Sequence, residues 1–119
     1  MPTPCTGTVT FCNGVRDADA WILPQTPEIL KTTAWGTPGA AKVRTGESRP
    51  VPLPAPGDGG FHVFRMIDAD GFFYAANGIA LEDGWTLAVK GGGLQPVILE
   101  ISDGNGVLRQ TREVFSARL

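Results

Sequence analysis

"FHVFRMIDADGFFYAANG", residues 61–78, decides the fold. "FHVFRMI" carries large apolar groups on both faces and runs into Asp68-Ala69-Asp70-Gly71, after which a second run, "FFYAA", begins. A strand apolar on both sides fits a central position in a sandwich. Asp and Gly reverse a chain for separate reasons: the carboxylate bonds nearby backbone N–H groups, and Gly tolerates positive φ. The stretch therefore reads as two strands and the turn between them. Which face of the first strand is buried stays open. Phe61, Val63 and Ile67 share one face with Arg65, which would need an acid or solvent there, and His62 shares the other with Phe64 and Met66.

The same alternation extends in both directions. "GWTLAVK" turns Trp85, Leu87 and Val89 inward, and "PVILEIS" does so with Val97, Leu99 and Ile101. Asp103-Gly104-Asn105-Gly106 is a strong hairpin signal before "VLRQTREVF", a final strand expected to run to Phe115. Asn77-Gly78 reads as a further turn. Upstream, "GTVTFCNG" alternates Val9 and Phe11 against Thr8, Thr10 and Cys12, and "AWILP" is a short strand ended by Pro24. "TPEILKTTAWG" is the one stretch that suits a helix, near residues 26–34, with Thr26 as N-cap and Pro27 in the first turn; an irregular crossing loop is the alternative. "SRPVPLPAPGDGG" alternates prolines, which fits an edge strand or surface loop better than a linker between two domains, because neither flank could bury a core alone. About eight short strands in residues 1–119 predict a single all-β domain, an antiparallel β-sandwich of immunoglobulin-like or prealbumin-like kind.

Composition agrees with one globular domain: 119 residues, 42% hydrophobic and 18% charged, with 16 Gly and 10 Pro suited to many turns. A net charge of -2 gives no basic footprint for nucleic acid or an anionic membrane. "MPTPCTGTVTFC" has neither the basic start nor the apolar run of a secretory signal, so a cytoplasmic protein is expected unless a leader has been removed. Cys5 and Cys12 are too few for a disulfide framework; Cys12 reads as a small hydrophobe or a strand-edge residue, with a bridge to Cys5 or a reactive thiol as alternatives.

Chemistry is limited by supply. A helix-loop-helix calcium site starting at Asp68 would need ligands and a Gly where Phe72, Phe73 and Ile79 stand. A turn is the expected role of Asp68 and Asp70, and a loop-built calcium site shared with Asp17, Asp19 or Asp103 is the alternative. His62 is the single histidine, so a catalytic triad or a metal site would have to use it, and a Cys12 or serine dyad is the form a small enzyme would take. Trp35, in a loop beside Gly36, and Tyr74 are the aromatic candidates for ligand contact.

"VTFCN" at 9–13, Trp21, Gly46 in "RTGES" and "FHVFRMIDADG" at 61–71 resemble the β domain of the von Hippel-Lindau tumour suppressor family, a prealbumin-like sandwich. The resemblance implies fold alone. In that family a Trp and a His before the Phe-Arg pair help to hold a hydroxyproline peptide, and the positions matching them here are His62 and Gly60.

The residues thus predict a non-catalytic interaction or structural module without a cofactor. Its partner would be a protein or a second copy of itself, reached through an edge strand such as "VLRQTREVF" or an apolar patch near Trp35 and the prolines. A carbohydrate-binding module, calcium-assisted through the loop acids, is the alternative.

Overall fold

Residue 64 shows how the core forms. The Phe64 ring stacks on Phe11 with centroids 5.6 Å apart and planes at 22°, and both residues are fully buried. They lie on facing sheets of the computed structural model, which describes residues 5–27, 41–92 and 95–118. In chain order the strands are β1 (Cys5–Asn13), β2 (Ala18–Pro24), β3 (Ala41–Val43), β4 (Ser48–Pro54), β5 (His62–Asp68), β6 (Phe72–Ile79), β7 (Thr86–Gly92), β8 (Gln95–Ser102), β9 (Leu108–Glu113) and β10 (Phe115–Arg118). A 3-10 turn, Asp58–Gly60, precedes β5.

The strands form two five-stranded sheets, in the orders β4-β1-β7-β8-β9 and β10-β6-β5-β2-β3. Alternation supplies the facing surfaces: Val9, Phe11, Leu87, Val89, Leu99 and Ile101 from the first sheet meet Ala20, Ile22, Phe64, Met66 and Ile79 from the second. Burying a Phe, Leu or Ile side chain contributes about 1.5–3 kcal/mol each, which makes this shared layer the main source of stability.

The all-β sandwich is as expected, and its finer description needs correction. The first sheet is mixed, because β1 pairs antiparallel with β4 on one side and parallel with β7 on the other, Thr10 facing Thr86 and Asn13 facing Val89. Ten strands are present among the described residues where about eight were expected, because β3 had no clear signal and the final strand is two. β9 ends at Glu113, Val114 is buried at the crossing, and β10 joins the other sheet beside β6. Asn77-Gly78 is no turn: β6 continues through it to Ile79, with a register shift against β5. Gln25 Oε1 accepts the Gly78 N–H at 2.7 Å there, and Arg112 donates to the Gly78 carbonyl at 3.0 Å.

Both faces of β5 are enclosed. Phe64 and Met66 enter the shared core, while Val63 and Arg65 are 0% and 6% exposed on the opposite face, where Arg65 lies between Trp21 and Ala75. The Arg65 guanidinium donates to the Phe64 carbonyl and to Asn77 Oδ1, both at 2.9 Å. Burial lowers its pKa. The proline-rich segment is the edge strand β4, and most of the helix expected near 26–34 lies outside the described residues. Among the described residues no helix is long and apolar enough to cross a membrane.

Candidate functional site

Asp68 sits at the end of β5 and is 5% exposed. Its Oδ1 accepts the N–H groups of Asp70 at 2.9 Å and Phe72 at 3.0 Å, and its Oδ2 accepts the Tyr74 hydroxyl at 2.7 Å. The Asp68 carbonyl accepts the Gly71 N–H at 3.1 Å, and Gly71 takes φ +86°, the left-handed region that favours glycine. Every strong feature of "DADG" is thus spent on reversing the chain. The Asp70 carboxylate points elsewhere and pairs with Arg16 at the surface.

Beside this turn a cleft of about 370 Å³ opens between the β2–β3 ladder and the end of β5, lined by Asp17, Asp19, Lys42, Arg44 and Asp68. Asp17 is committed as Asp68 is. Its Oδ1 accepts the Thr45 N–H at 2.9 Å and the Thr45 hydroxyl at 3.2 Å, and the backbone bond holds its carboxyl below the usual range. The cleft brings together Asp17, Asp19 and Asp68 of the sequence-derived acids, with Asp70 at the adjoining turn and Asp103 in another. Among the described residues no group of three or more His, Cys, Asp or Glu side chains has the arrangement to hold a metal ion.

Tyr74 is 7% exposed, on the core side of β6, with its hydroxyl bonded to Asp68. Burial first, and that hydrogen bond second, push its phenol up to about 12. It offers no ring face to a ligand in this position. Trp35 lies outside the described residues. His62 is 1% exposed, and its Nε2 lies 2.9 Å from the Pro54 carbonyl. A carbonyl only accepts, so Nε2 carries the hydrogen and the imidazole ties β5 to the end of β4. Its Nδ1 is enclosed and meets no polar partner. Cys12, half-buried on the side of β1 opposite Phe11, accepts the Ser48 hydroxyl at 3.2 Å, remote from the histidine's enclosed position. These groups stabilise turns and join sheets; they do not converge on a reacting atom.

Unspent bonding capacity lies instead at the sheet edges. β4 ends the first sheet on one side, and the bond from the Asn13 N–H to the Glu47 carbonyl at 3.0 Å fixes which of its residues face β1. By alternation Arg49, Val51 and Leu53 face inward, and Pro50 and Pro52 face the open side, where they present no N–H. β3 closes the second sheet with three residues, and β10 ends its other side with four. β9 differs. It is six residues long, exposed at every position except half-buried Gln110, and no strand pairs with its outer side among the described residues. The bond from the Val114 N–H to the Val97 carbonyl, 2.9 Å, continues the β8–β9 ladder, so Arg112 and Gln110 bond β8 and Thr111 and Glu113 turn their backbone groups outward. Its first residue, Leu108, and the flanking Val107 and Phe115 are each more than half accessible.

The stretch "VLRQTREVF", which the sequence offers as a pairing edge, is this strand with its flanking residues. No protein-family model, no curated protein and no solved structure matches the chain.

Proposed function

We propose that this protein is a non-catalytic interaction module built on a β-sandwich of prealbumin-like or immunoglobulin-like kind, acting through protein–protein contact that includes self-association. One observation carries the reading: three of four sheet edges are blocked or short, and the fourth, β9, offers free backbone donors and acceptors beside exposed apolar residues. Exposed edges invite pairing, and proteins that do not use them protect them. The likeness to the von Hippel-Lindau β domain belongs to the same reading as a statement about architecture. Sedimentation velocity of the full chain, from micromolar to near-millimolar concentration, tests it. An average mass rising above 12.6 kDa with concentration supports self-association, and a monomer throughout overturns it.

A further inference from the structure

We infer that the flank where β3 meets β4 binds a phosphate dianion, free or as a monoester, held by Lys42, Arg44 and Arg49. The inference goes beyond the interaction-module reading and is independent of how the β9 edge is used. β3 and β4 are edge strands of the two sheets and lie against each other on this flank. Val43 is fully buried, and Lys42 and Arg44 on either side of it are exposed. Arg49, the second residue of β4, joins them at a cleft of about 420 Å³ lined, among the described residues, by these three cations and Glu47.

The charges at this cleft are not used up within the chain. Among the described side chains Arg16 pairs with Asp70, Lys90 with Glu100 and Arg109 with Asp103, while Arg65 and Arg112 donate to carbonyl groups. Lys42 and Arg44 have no described carboxylate within ion-pair distance. The neighbouring acids are committed elsewhere: Asp17 accepts the N–H and hydroxyl of Thr45, and Glu47 takes the Arg49 Nε–H at 2.6 Å. Asp19 stands opposite Lys42 in the β2–β3 ladder but makes no ion pair with it. Arg49 keeps the two terminal nitrogens of its fork for a ligand. Three positive charges thus face one negative charge in the cleft, an excess that runs against the chain's net charge of -2. A phosphate monoester carries about -1.5 to -2 at neutral pH and offers guanidinium forks paired oxygens, whereas a carboxylate would answer only part of that excess.

The backbone adds a donor. The bonds from the Ala69 N–H to the Asp17 carbonyl and from the Gln25 N–H to the Phe61 carbonyl show that the odd-numbered residues of β2 bond β5. Ala18 and Ala20 therefore bond β3 through Val43 and Ala41, and the Lys42 N–H is turned to the open side of the sheet.

The test is amide NMR on the full chain, titrated with inorganic phosphate, O-phosphoserine and acetate at constant ionic strength so that general screening stays fixed. Saturable shifts at Lys42, Arg44 and Arg49 are expected with both phosphates, and much weaker binding with acetate. Phosphoserine binding tighter than phosphate identifies a phosphorylated ligand, and equal binding identifies the free ion. Lys42→Gln and Arg44→Gln should each weaken binding roughly tenfold. Arg112→Gln, which changes the net charge equally but lies elsewhere, should leave it unchanged, and the same spectra report that each variant is folded. Absence of a saturable shift, acetate bound as tightly as phosphate, affinity unchanged in Lys42→Gln and Arg44→Gln, or equal weakening by Arg112→Gln overturns the site. None of these outcomes bears on the interaction-module reading, which sedimentation decides.

Discussion

Two turns of this protein are built alike in different surroundings. Asp68 to Gly71 joins β5 to β6, and Asp103 to Gly106 joins β8 to β9. In each, the aspartate Oδ1 accepts the N–H groups two and four residues on, and its carbonyl accepts the N–H three residues on. That third residue is a glycine at φ +86° in one turn and +80° in the other. The difference lies around the carboxylate. Asp68 is buried and takes a third bond from Tyr74, whereas Asp103 stays at the rim with its second oxygen 3.7 Å from Arg109. The turn pattern is dictated by backbone needs common to both, and the strength of each aspartate's contribution by water's access to the groups it serves.

Substitutions separate these two causes. Asp68→Ala removes three hydrogen bonds and strands a buried hydroxyl, so a loss of about 3 kcal/mol is expected in urea unfolding. Tyr74→Phe leaves Asp68 Oδ2 without its donor and is expected to cost about 1.5 kcal/mol. Asp103→Ala removes two bonds whose donors water can reach, with an expected loss of about 1 kcal/mol. A loss as large as that of Asp68→Ala would mean that burial is irrelevant to the device. Gly71→Ala and Gly106→Ala sharpen the point, because neither turn has neighbouring atoms that a methyl group would meet. Both should lose about 1 kcal/mol, and equally, since the strain is that of the left-handed backbone alone.

Alkaline pH reaches only one of the two turns. Tyr74 is the single tyrosine, so phenolate absorbance reports on it alone. Its pKa is raised from 10.0 to about 12, which favours the neutral phenol in the folded state. The linked stability is fully present below about pH 10 and is lost as pH rises through about 12. A folded-state titration near the ordinary value would remove the buried hydrogen bond from the account. The smallest effect expected is that of calcium: thermal unfolding in millimolar calcium and in chelator should coincide, because Asp68 is spent on the turn and Asp70 on Arg16. A rise of several degrees, lost on Asp70→Ala, would make the first turn a metal site and end its likeness to the second.

Where a local rule dictates structure, the sequence was readable. Leu87, Val89, Leu99 and Ile101 alternate because one face of each strand is buried, and they are at 0% exposure. The prolines of β4 marked an edge for the same reason that makes them poor hydrogen-bond partners. What escaped was set by contacts remote in sequence. Nothing near Thr10 announces that its neighbour is Thr86 and that the pairing is parallel. Between β9 and β10 stands Val114 alone, with no Gly, Pro or other turn residue, so nothing in the sequence marks the crossing to the other sheet. Asn77-Gly78 has the composition of a turn, but Gln25 and Arg112 hold its backbone within β6. Tyr74 was readable as an aromatic side chain but not as a buried one, because its partner, Asp68, was read only as part of a turn.

The place of β1 between β4 and β7 has a bearing on how the chain comes into being. Synthesis delivers β1 ahead of both its neighbours, β4 and β7, and β7 follows only after the five described strands β2 to β6 have been made. Until then the nascent chain carries a half-paired strand whose Val9 and Phe11 await cover from a sheet that is not yet closed. Closing a long loop before any contact compensates for it is the slow step of folding for such topologies. A strand made before both of its neighbours is therefore among the last to be locked, and the period in which misassembly threatens is as long as the interval between β1 and β7.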